Sequence, residues 1–314
     1  MITMTPFPSL WTPRPYRSED FPALLEAHRL SVGADRGRLY NDATLQHLIT
    51  PPPEVRSGLI VVPLDTSSEV AGWLWWEVQG DRAVRMEGFV APAFRRKGVG
   101  TALLEGAERD LTWRVPGASL ALRTYADLTG AVALFHAAGY IPRRHFNRMT
   151  VALDRRWEAV ALEGVHFETF QRDHLERLVD ADNAIFSDHW GSQPQTIEGF
   201  ARAQIEMRPH DPQLWVLALT GETIVAECLA HTSQEAAPGE REGYIAHLGV
   251  RREWRGKGLG RAILCEGLNR LRAAGYQIAS LMVDADNAPA VNLYRGVGMD
   301  VVRVRVNFGK TLGG

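Results

Sequence analysis

The sequence predicts an α/β protein with α+β mixed sheets, built from two tandem copies of one domain. Three observations carry this. Arg95, Gly98 and Gly100 recur as Arg255, Gly258 and Gly260, 160 positions later. "DLTGAVALFHAAGY" (127–140) recurs as "DNAPAVNLYRGVGM" (286–299), where Ala131, Val132, Leu134 and Gly139 meet Ala290, Val291, Leu293 and Gly298. Strand-like and helix-like stretches also follow one another in the same order in both halves. A period this long is no solenoid repeat and reads as a duplicated domain. Strands and helices mixed in this order imply layers of helix on sheet. The boundary is expected within "LDRRWEAVALEG" (153–164), giving domains 1–155 and 160–314.

Each element has a local reason. In the first half "SGLIVVPL", "EVAGWLWWEV" and "RMEGFV" read as strands, followed by the glycine turn and its helix, then the strands "SLALRTY" and "RRHFNRMTVAL". In the second half Leu175, Leu178, Val179, Ile185 and Phe186 fall at helical spacing. "QLWVLAL" and "TIVAECLAH" are strands joined by the turn "TGE". "GYIAHLGV" is a strand running into the second glycine turn and the helix "GRAILCEGLNRLRAAG". After the strand "IASLMVDA", Asn287 is a plausible N-cap for the next helix, with Pro289 tolerated in its first turn. Gly298 suits the left-handed position after that helix, and "DVVRVRVNF" alternates as a closing strand.

Bulk properties narrow the class. Of 314 residues, 45% are hydrophobic, which supports packed cores. A net charge of −2 gives no overall positive field for nucleic acid or an anionic membrane. The two cysteines, Cys228 and Cys265, form no Cys-x-x-Cys, so neither a disulfide framework nor a zinc site is expected. The ten histidines form no H-x-H or H-E-x-x-H pattern, and no metal is expected. No G-x-S-x-G appears. No membrane-length apolar run and no secretory leader appear, so a cytoplasmic location is expected.

The segment "HLGVRREWRGKGLGRAIL" places a glycine-rich turn between a strand and a helix. First-turn N–H groups lack intrahelical acceptors and carry partial positive charge. Glycines at 256, 258 and 260 let an anion approach them, and Arg255, Lys257 and Arg261 add formal charge. Physically this is a pyrophosphate cradle. It fits neither the Walker A spacing nor the G-x-G-x-x-G dinucleotide fingerprint.

"LGVRREWRGKGLG" resembles the acyl-CoA-binding motif of the GNAT acetyltransferase superfamily, L-x-V-x-P-x-x-[RQ]-x-x-G-x-[GA], with Arg252 where proline is usual. "VAPAFRRKGVG" resembles it too, Pro92 included. "NAPAVNLYRGVGM" is similar to the family's next motif, N-x-x-A-x-x-L-Y-x-x-x-G-F. The whole chain therefore resembles a tandem protein of that family. The resemblance implies acetyl-CoA as acyl donor. It implies pantetheine pairing at Leu248, Gly249 and Val250, with Gly88, Phe89 and Val90 matching in the first half. The pyrophosphate would lie on Arg255, Gly256, Lys257, Gly258, Leu259 and Gly260, and on Arg95, Arg96, Lys97, Gly98, Val99 and Gly100. The family's asparagine falls on Asn287.

Acetyl transfer to an amine needs a neutral nucleophile, since an alkylammonium titrates near ~10.4, and a proton donor for the leaving thiol. The tyrosine that often donates in the family matches Tyr294. The first half has Phe135 there, which cannot donate, and Leu128 in place of Asn287. The first domain is therefore expected to be degenerate and the second catalytic. Glu227 and His247 are the candidates for general base. Glu227 is a carboxylate within an apolar strand; His247 titrates near neutrality but its facing is open, and a core or surface role fits it as well. Asp188, His189 and Trp190, between two expected helices, are candidates for holding a cationic amine, or form an ordinary cap and a packed ring. The expected activity is N-acetylation of a small amine. The alternatives are a non-catalytic acyl-CoA sensor and an enzyme with two active sites.

Overall fold

The computed structural model describes residues 11–35, 45, 49, 55–63, 69–160, 162–189, 192–206, 211–236 and 239–313. The chain divides into two compact units, one of residues 1–145 with 304–314 and the other of residues 146–303.

In the first unit the strands β1 (Arg14–Pro15), β2 (Ser57–Pro63), β3 (Val70–Gln79), β4 (Ala83–Val90) and β5 (Ser119–Tyr125) lie side by side in that order. Among its helices are α1 (Phe21–Asp35), α2 (Val99–Arg114) and α3 (Thr129–Ala137). All neighbouring strands are antiparallel except β4 and β5, which are parallel through only three residue pairs, Ala83↔Ser119 to Arg85↔Ala121.

The chain leaves this unit along β6 (Ile141–Ala152), whose stretch from Phe146 to Ala152 is an edge strand of the second unit. There it pairs with β11 (Ile278–Asp284), and the order continues β10 (Glu242–Val250), β9 (Thr223–Thr232), β8 (Trp215–Thr220) and β7 (His166–Thr169). Helices α4 (Leu175–Phe186), α5 (Ile197–Ala201), α6 (Leu259–Ala273) and α7 (Ala288–Gly296) complete it. The last strand, β12 (Asp300–Thr311), pairs through Arg305–Thr311 with β5 of the first unit. Each sequence half thus gives its closing strand to the other unit. The alternation of "DVVRVRVNF" and "RRHFNRMTVAL" marks strands correctly, but a period of two does not say which edge a strand will join.

The helices that matter for function are amphipathic for visible reasons. Buried on α6 are Leu259, Ala262, Ile263, Leu264, Cys265, Leu268 and Leu271, one continuous stripe against the sheet. On α4 the buried stripe is Leu178, Val179, Ala181, Asp182 and Ile185. Helix α7 starts at Asn287, whose side chain accepts from the N–H of Ala290 at 3.2 Å, and stops at Gly298 with φ +93°. Among the described residues no helix is long and apolar enough to cross a membrane.

Candidate active site

Strand β10 is the spine of the site. It runs parallel to β11 from Glu242↔Ile278 only to Ile245↔Leu281, and beyond that point the pairing ends. On its other side it stays paired with β9 to Val250↔Ala226. Leu248, Gly249 and Val250 therefore have main-chain groups on the β11 side outside the ladder, an edge that an extended ligand can pair with.

A bulge sits on this strand. Ile245 pairs with Ala230, but His247 pairs with Leu229 rather than Cys228, so Ala246 is the extra residue. Without the bulge, His247 would share the face of Ile245. With it, His247 moves to the face of Glu227, which pairs with Gly249. That face is covered by α4: a Cβ on Gly249 would stand 2.1 Å from Ile185 Cγ2 and 3.0 Å from Phe186 Cζ. The opposite face meets α6, where a Cβ on Gly267 would reach Cys228 Sγ at 2.5 Å. Gly249→Ala is accordingly expected to lift α4 off the sheet. It should lower the thermal midpoint, at a cost of about 1–3 kcal/mol.

On the α4 face three titratable groups converge. His247 Nδ1 lies 2.6 Å from Asp182 Oδ1 and 3.7 Å from Glu227 Oε1. Its Nε2 is 3.1 Å from the Gln204 amide, and the rings of Phe186 and Phe200 stand edge-on at 5.6 and 5.9 Å. Gln204 belongs to a single π-type turn, 202–206, a local distortion often found at functional sites. Glu227 is 0% exposed and neither oxygen has a hydrogen bond. Burial pushes its carboxyl up to about 8 although His247 opposes this. Burial works against charge on His247, but Asp182 and then Glu227 outweigh it and hold the imidazole up at about 9. Burial would raise Asp182, yet its bond to His247 keeps it below the usual carboxylate range. The three side chains offer ligand atoms within 4.8 Å of one another. Nδ1 is already engaged by Asp182 at 2.6 Å.

Sequence reasoning brought Glu227 and His247 forward and missed Asp182 and Gln204. Asp182 did carry a signal: it interrupts the apolar stripe of α4 three residues after Val179 and three before Ile185. Gln204 carried none.

The cradle follows β10 directly at its C-terminal end. Gly256 (φ +75°) and Gly258 (φ +86°) hold left-handed conformations that only glycine adopts without strain. A Cβ on either would meet nothing within 4 Å, so the space above the turn is open. Arg255 does not face that space. Its guanidinium donates to Asp188 at 2.7 and 3.3 Å, to the carbonyl of Ile185 at 2.9 Å and to that of Val250 at 3.0 Å. It ties the turn to the end of α4, and Asp188, expected near an acceptor, is its counter-ion. Among the described residues, Lys257 lies beside the turn, 4.9 Å over the Trp254 ring, without a carboxylate clamp of that kind. His189 packs against Phe186 at 4.8 Å, and burial lowers its imidazole despite Asp188. Trp190 lies outside the described residues.

Tyr294, 7% exposed, projects from α7. Burial first, and then Cys228 and Tyr244, hold its phenol well above the usual range. Arg261 on α6 donates to the Gly296 carbonyl at 2.8 Å, and a Cβ on Gly260 would lie 3.5 Å from Leu293, so the helix that carries Tyr294 and the cradle stand on one side of the sheet and the Asp182–His247–Glu227 group on the other.

The first unit repeats the frame with other side chains. Arg95 donates to Asp35 at 2.7 and 2.9 Å and to the Val90 carbonyl at 3.1 Å, as Arg255 does to its partners. At the Gly256 position stands Arg96, with φ +60°. Trp11 donates to the Lys97 carbonyl at 2.6 Å, across the turn. The register pair equivalent to Glu227↔Gly249 is Trp73↔Phe89. Their rings lie 5.1 Å apart, with His28 4.8 Å from Phe89, so aromatic rings fill the place that a carboxylate and a glycine hold in the second unit. Phe135 is buried against Tyr140 and Phe308.

Residues 19–140 and 175–299 each match the acetyltransferase (GNAT) family. The chain is 33% identical over 283 residues to a mycothiol acetyltransferase of Thermobispora bispora, spanning 89% of this chain and 92% of that one. It is 31% identical over 301 residues to a mycothiol acetyltransferase of Saccharomonospora viridis, spanning 93% and 94%. A GCN5-related N-acetyltransferase from Sphaerobacter thermophilus is similar in structure, with a TM-score of 0.73, 26% identity and 98% of both chains covered. A tandem GNAT protein from the clavulanic acid biosynthesis pathway shares the fold at a TM-score of 0.74 and 16% identity, over 97% of this chain and 98% of that one.

Proposed function

The chain belongs to the acetyltransferase (GNAT) family and is an acetyltransferase of that type, and from this premise we propose that its second unit transfers acetyl from acetyl-CoA to the amine of a small molecule. One observation carries the reading. Two chemically distinct groups stand on opposite faces of the sheet in which β10 parts from β11. Tyr294 and the cradle lie on one face; Asp182, Glu227 and His247 lie on the other. Two reactants entering from opposite sides meet in line there, which supplies much of a transfer enzyme's rate.

The donor's diphosphate rests on the N–H groups from Arg255 to Gly260, in the space that a Cβ on Gly256 or Gly258 would enter. Its pantetheine pairs with the free edge at Leu248, Gly249 and Val250, and Asn287 caps the helix beside it. The bound ammonium first gives up one proton to a base on the α4 face, where Glu227 and His247 stand. The freed lone pair attacks the thioester carbonyl, and the C–N bond forms. The C–S bond then breaks, sulfur keeps the electron pair, and the nitrogen loses its second proton to water. Tyr294, kept protonated by its burial, gives its phenolic proton to the thiolate and regains one from solvent. The products are an N-acetyl amide and the CoA thiol. A small acceptor is supported by the relatives named as mycothiol acetyltransferases, and an amine by the buried carboxylates. Asp188 and His189 stand at the rim of that side. A cytoplasmic setting, where acetyl-CoA is made and used, fits the same reading.

The two-domain division at 155 and 160 is kept as the functional one. The first domain has a cradle at Arg95–Gly100, with Gly88, Phe89 and Val90 leading into it, and the rings of Trp73 and Phe89 where the second has Glu227 and Gly249. It serves as a structural or cofactor-retaining partner.

Gly258→Val is expected to weaken CoA binding at least about 10-fold, because a β-branched residue cannot hold φ +86° without strain and its methyls enter the anion's space. Calorimetric titration with CoA reads this directly. The activity itself is tested by thiol release from acetyl-CoA over a panel of small amines. Release that depends on one of them is expected. Stoichiometric CoA binding with no release for any amine would make the chain a sensor.

A further inference from the structure

Glu227 and His247 are both placed to take the acceptor's proton, and their surroundings separate them. Glu227 is sealed under α4, with the Gly249 position beside it pressed against Ile185 and Phe186. His247 retains surface: its side chain is 16% exposed, against 4% for Asp182 and 0% for Glu227. Both carboxylates address the same ring nitrogen, Nδ1. The short bond to Asp182 fixes the ring proton there, which makes Nε2 the nitrogen that gains and loses a proton. The Gln204 amide suits either state, since it offers N–H to a bare Nε2 and, turned over, C=O to a protonated one.

Resting on the acetyltransferase reading above, we infer that Asp182 is a positioning residue that fixes the tautomer of His247, so that Nε2 of His247 accepts the acceptor ammonium's proton. Glu227 acts through the imidazole and not on the substrate. The proton passes from the ammonium nitrogen to Nε2 and from there to water, and no other bond changes in this step. Among the described residues, the titratable groups facing His247 are Asp182 from α4, His189 just beyond the end of that helix, and Glu227 from β9. Gln204 and the rings of Phe186 and Phe200 bring no charge. The Asp182 carboxylate behind the imidazole, joined by Glu227 once that group ionises, raises its basicity towards that of an amine. The bulge at Ala246 is what turns the ring to this face, and α4 is what brings the carboxylate.

The test joins two readouts on the full chain. Thiol release is followed against pH with acetyl-CoA and an amine that supports turnover, for wild type, Asp182→Asn, Asp182→Glu, His247→Gln and Glu227→Gln. The His247 imidazole is followed in parallel by nitrogen-15 NMR, its signal identified by its loss in His247→Gln. Wild-type kcat is expected to rise with pH to a plateau, with a midpoint near that of the NMR titration. Asp182→Asn should lower both midpoints by about one pH unit or more and the plateau by about 10-fold, leaving KM for acetyl-CoA unchanged. Asp182→Glu should restore part of each. His247→Gln should lower kcat about 100-fold or more, and Glu227→Gln should cost much less. Unchanged midpoints in Asp182→Asn would overturn the role of Asp182. A Glu227→Gln loss larger than that of His247→Gln would give the base to Glu227. A raised, Asp182-dependent His247 titration with no thiol release for any amine would instead contradict the transferase reading.

Discussion

Tyr294→Phe is expected to lower kcat by about 100-fold or more while leaving CoA affinity and the thermal midpoint nearly unchanged. The size follows from what a positioned proton donor contributes, about 10²–10⁴. The selectivity follows from packing. Phe135 occupies the matching place in the first unit and is buried there against Tyr140 and Phe308, so a phenylalanine fits this helix and this environment. Only the hydroxyl is lost, and it makes its contribution when sulfur gains charge, not when the donor binds. The loss should therefore appear in kcat and in kcat/KM alike. Steady-state thiol release with calorimetric CoA titration distinguishes this from a packing effect, which would move binding and stability first.

Glu227→Gln is expected to make the protein more stable relative to wild type as pH rises. Burial raises the folded carboxyl from 4.5 to about 8. A group whose folded value lies above its unfolded one contributes most below the unfolded value, and that contribution is lost as pH climbs towards the folded one. For Glu227 the cost therefore accumulates between about pH 4.5 and pH 8, and it vanishes in the glutamine variant. His247 acts in the same sense, because it too is raised, to about 9, and removing Glu227 takes away one of the groups that raise it. The gap between variant and wild type should widen by about 1 kcal/mol per pH unit over this window. Thermal midpoints at pH 5, 6, 7 and 8 measure it. A constant gap would mean that Glu227 is ionised throughout.

Much of the frame was legible because it is written in local patterns. The cradle could be read from Gly256, Gly258 and Gly260 after a strand, and the structure places left-handed turns at the first two. Asn287 and Gly298 bound α7 as cap and stop. Other features were hidden because they depend on distant chain. The exchange of β6 and β12 is a choice between sheet edges, and both strands alternate equally well. The bulge at Ala246 leaves no mark in composition, yet it decides which face His247 takes. Arg255 read as a phosphate ligand by charge and position, but Asp188, far away in sequence, holds it as a clamp. Asp182 was readable in principle as a charge on an apolar stripe. The aromatic pair of the first unit became visible only when register set Trp73↔Phe89 beside Glu227↔Gly249.

The claim that transfer chemistry belongs to the second unit is tested most directly by thiol release in two single variants, Gly98→Val and Gly258→Val, each disabling one cradle. Gly258→Val is expected to lower turnover at sub-saturating acetyl-CoA at least about 10-fold, and Gly98→Val to leave it within about 2-fold of wild type. Turnover that survives Gly258→Val and disappears in Gly98→Val would contradict the account.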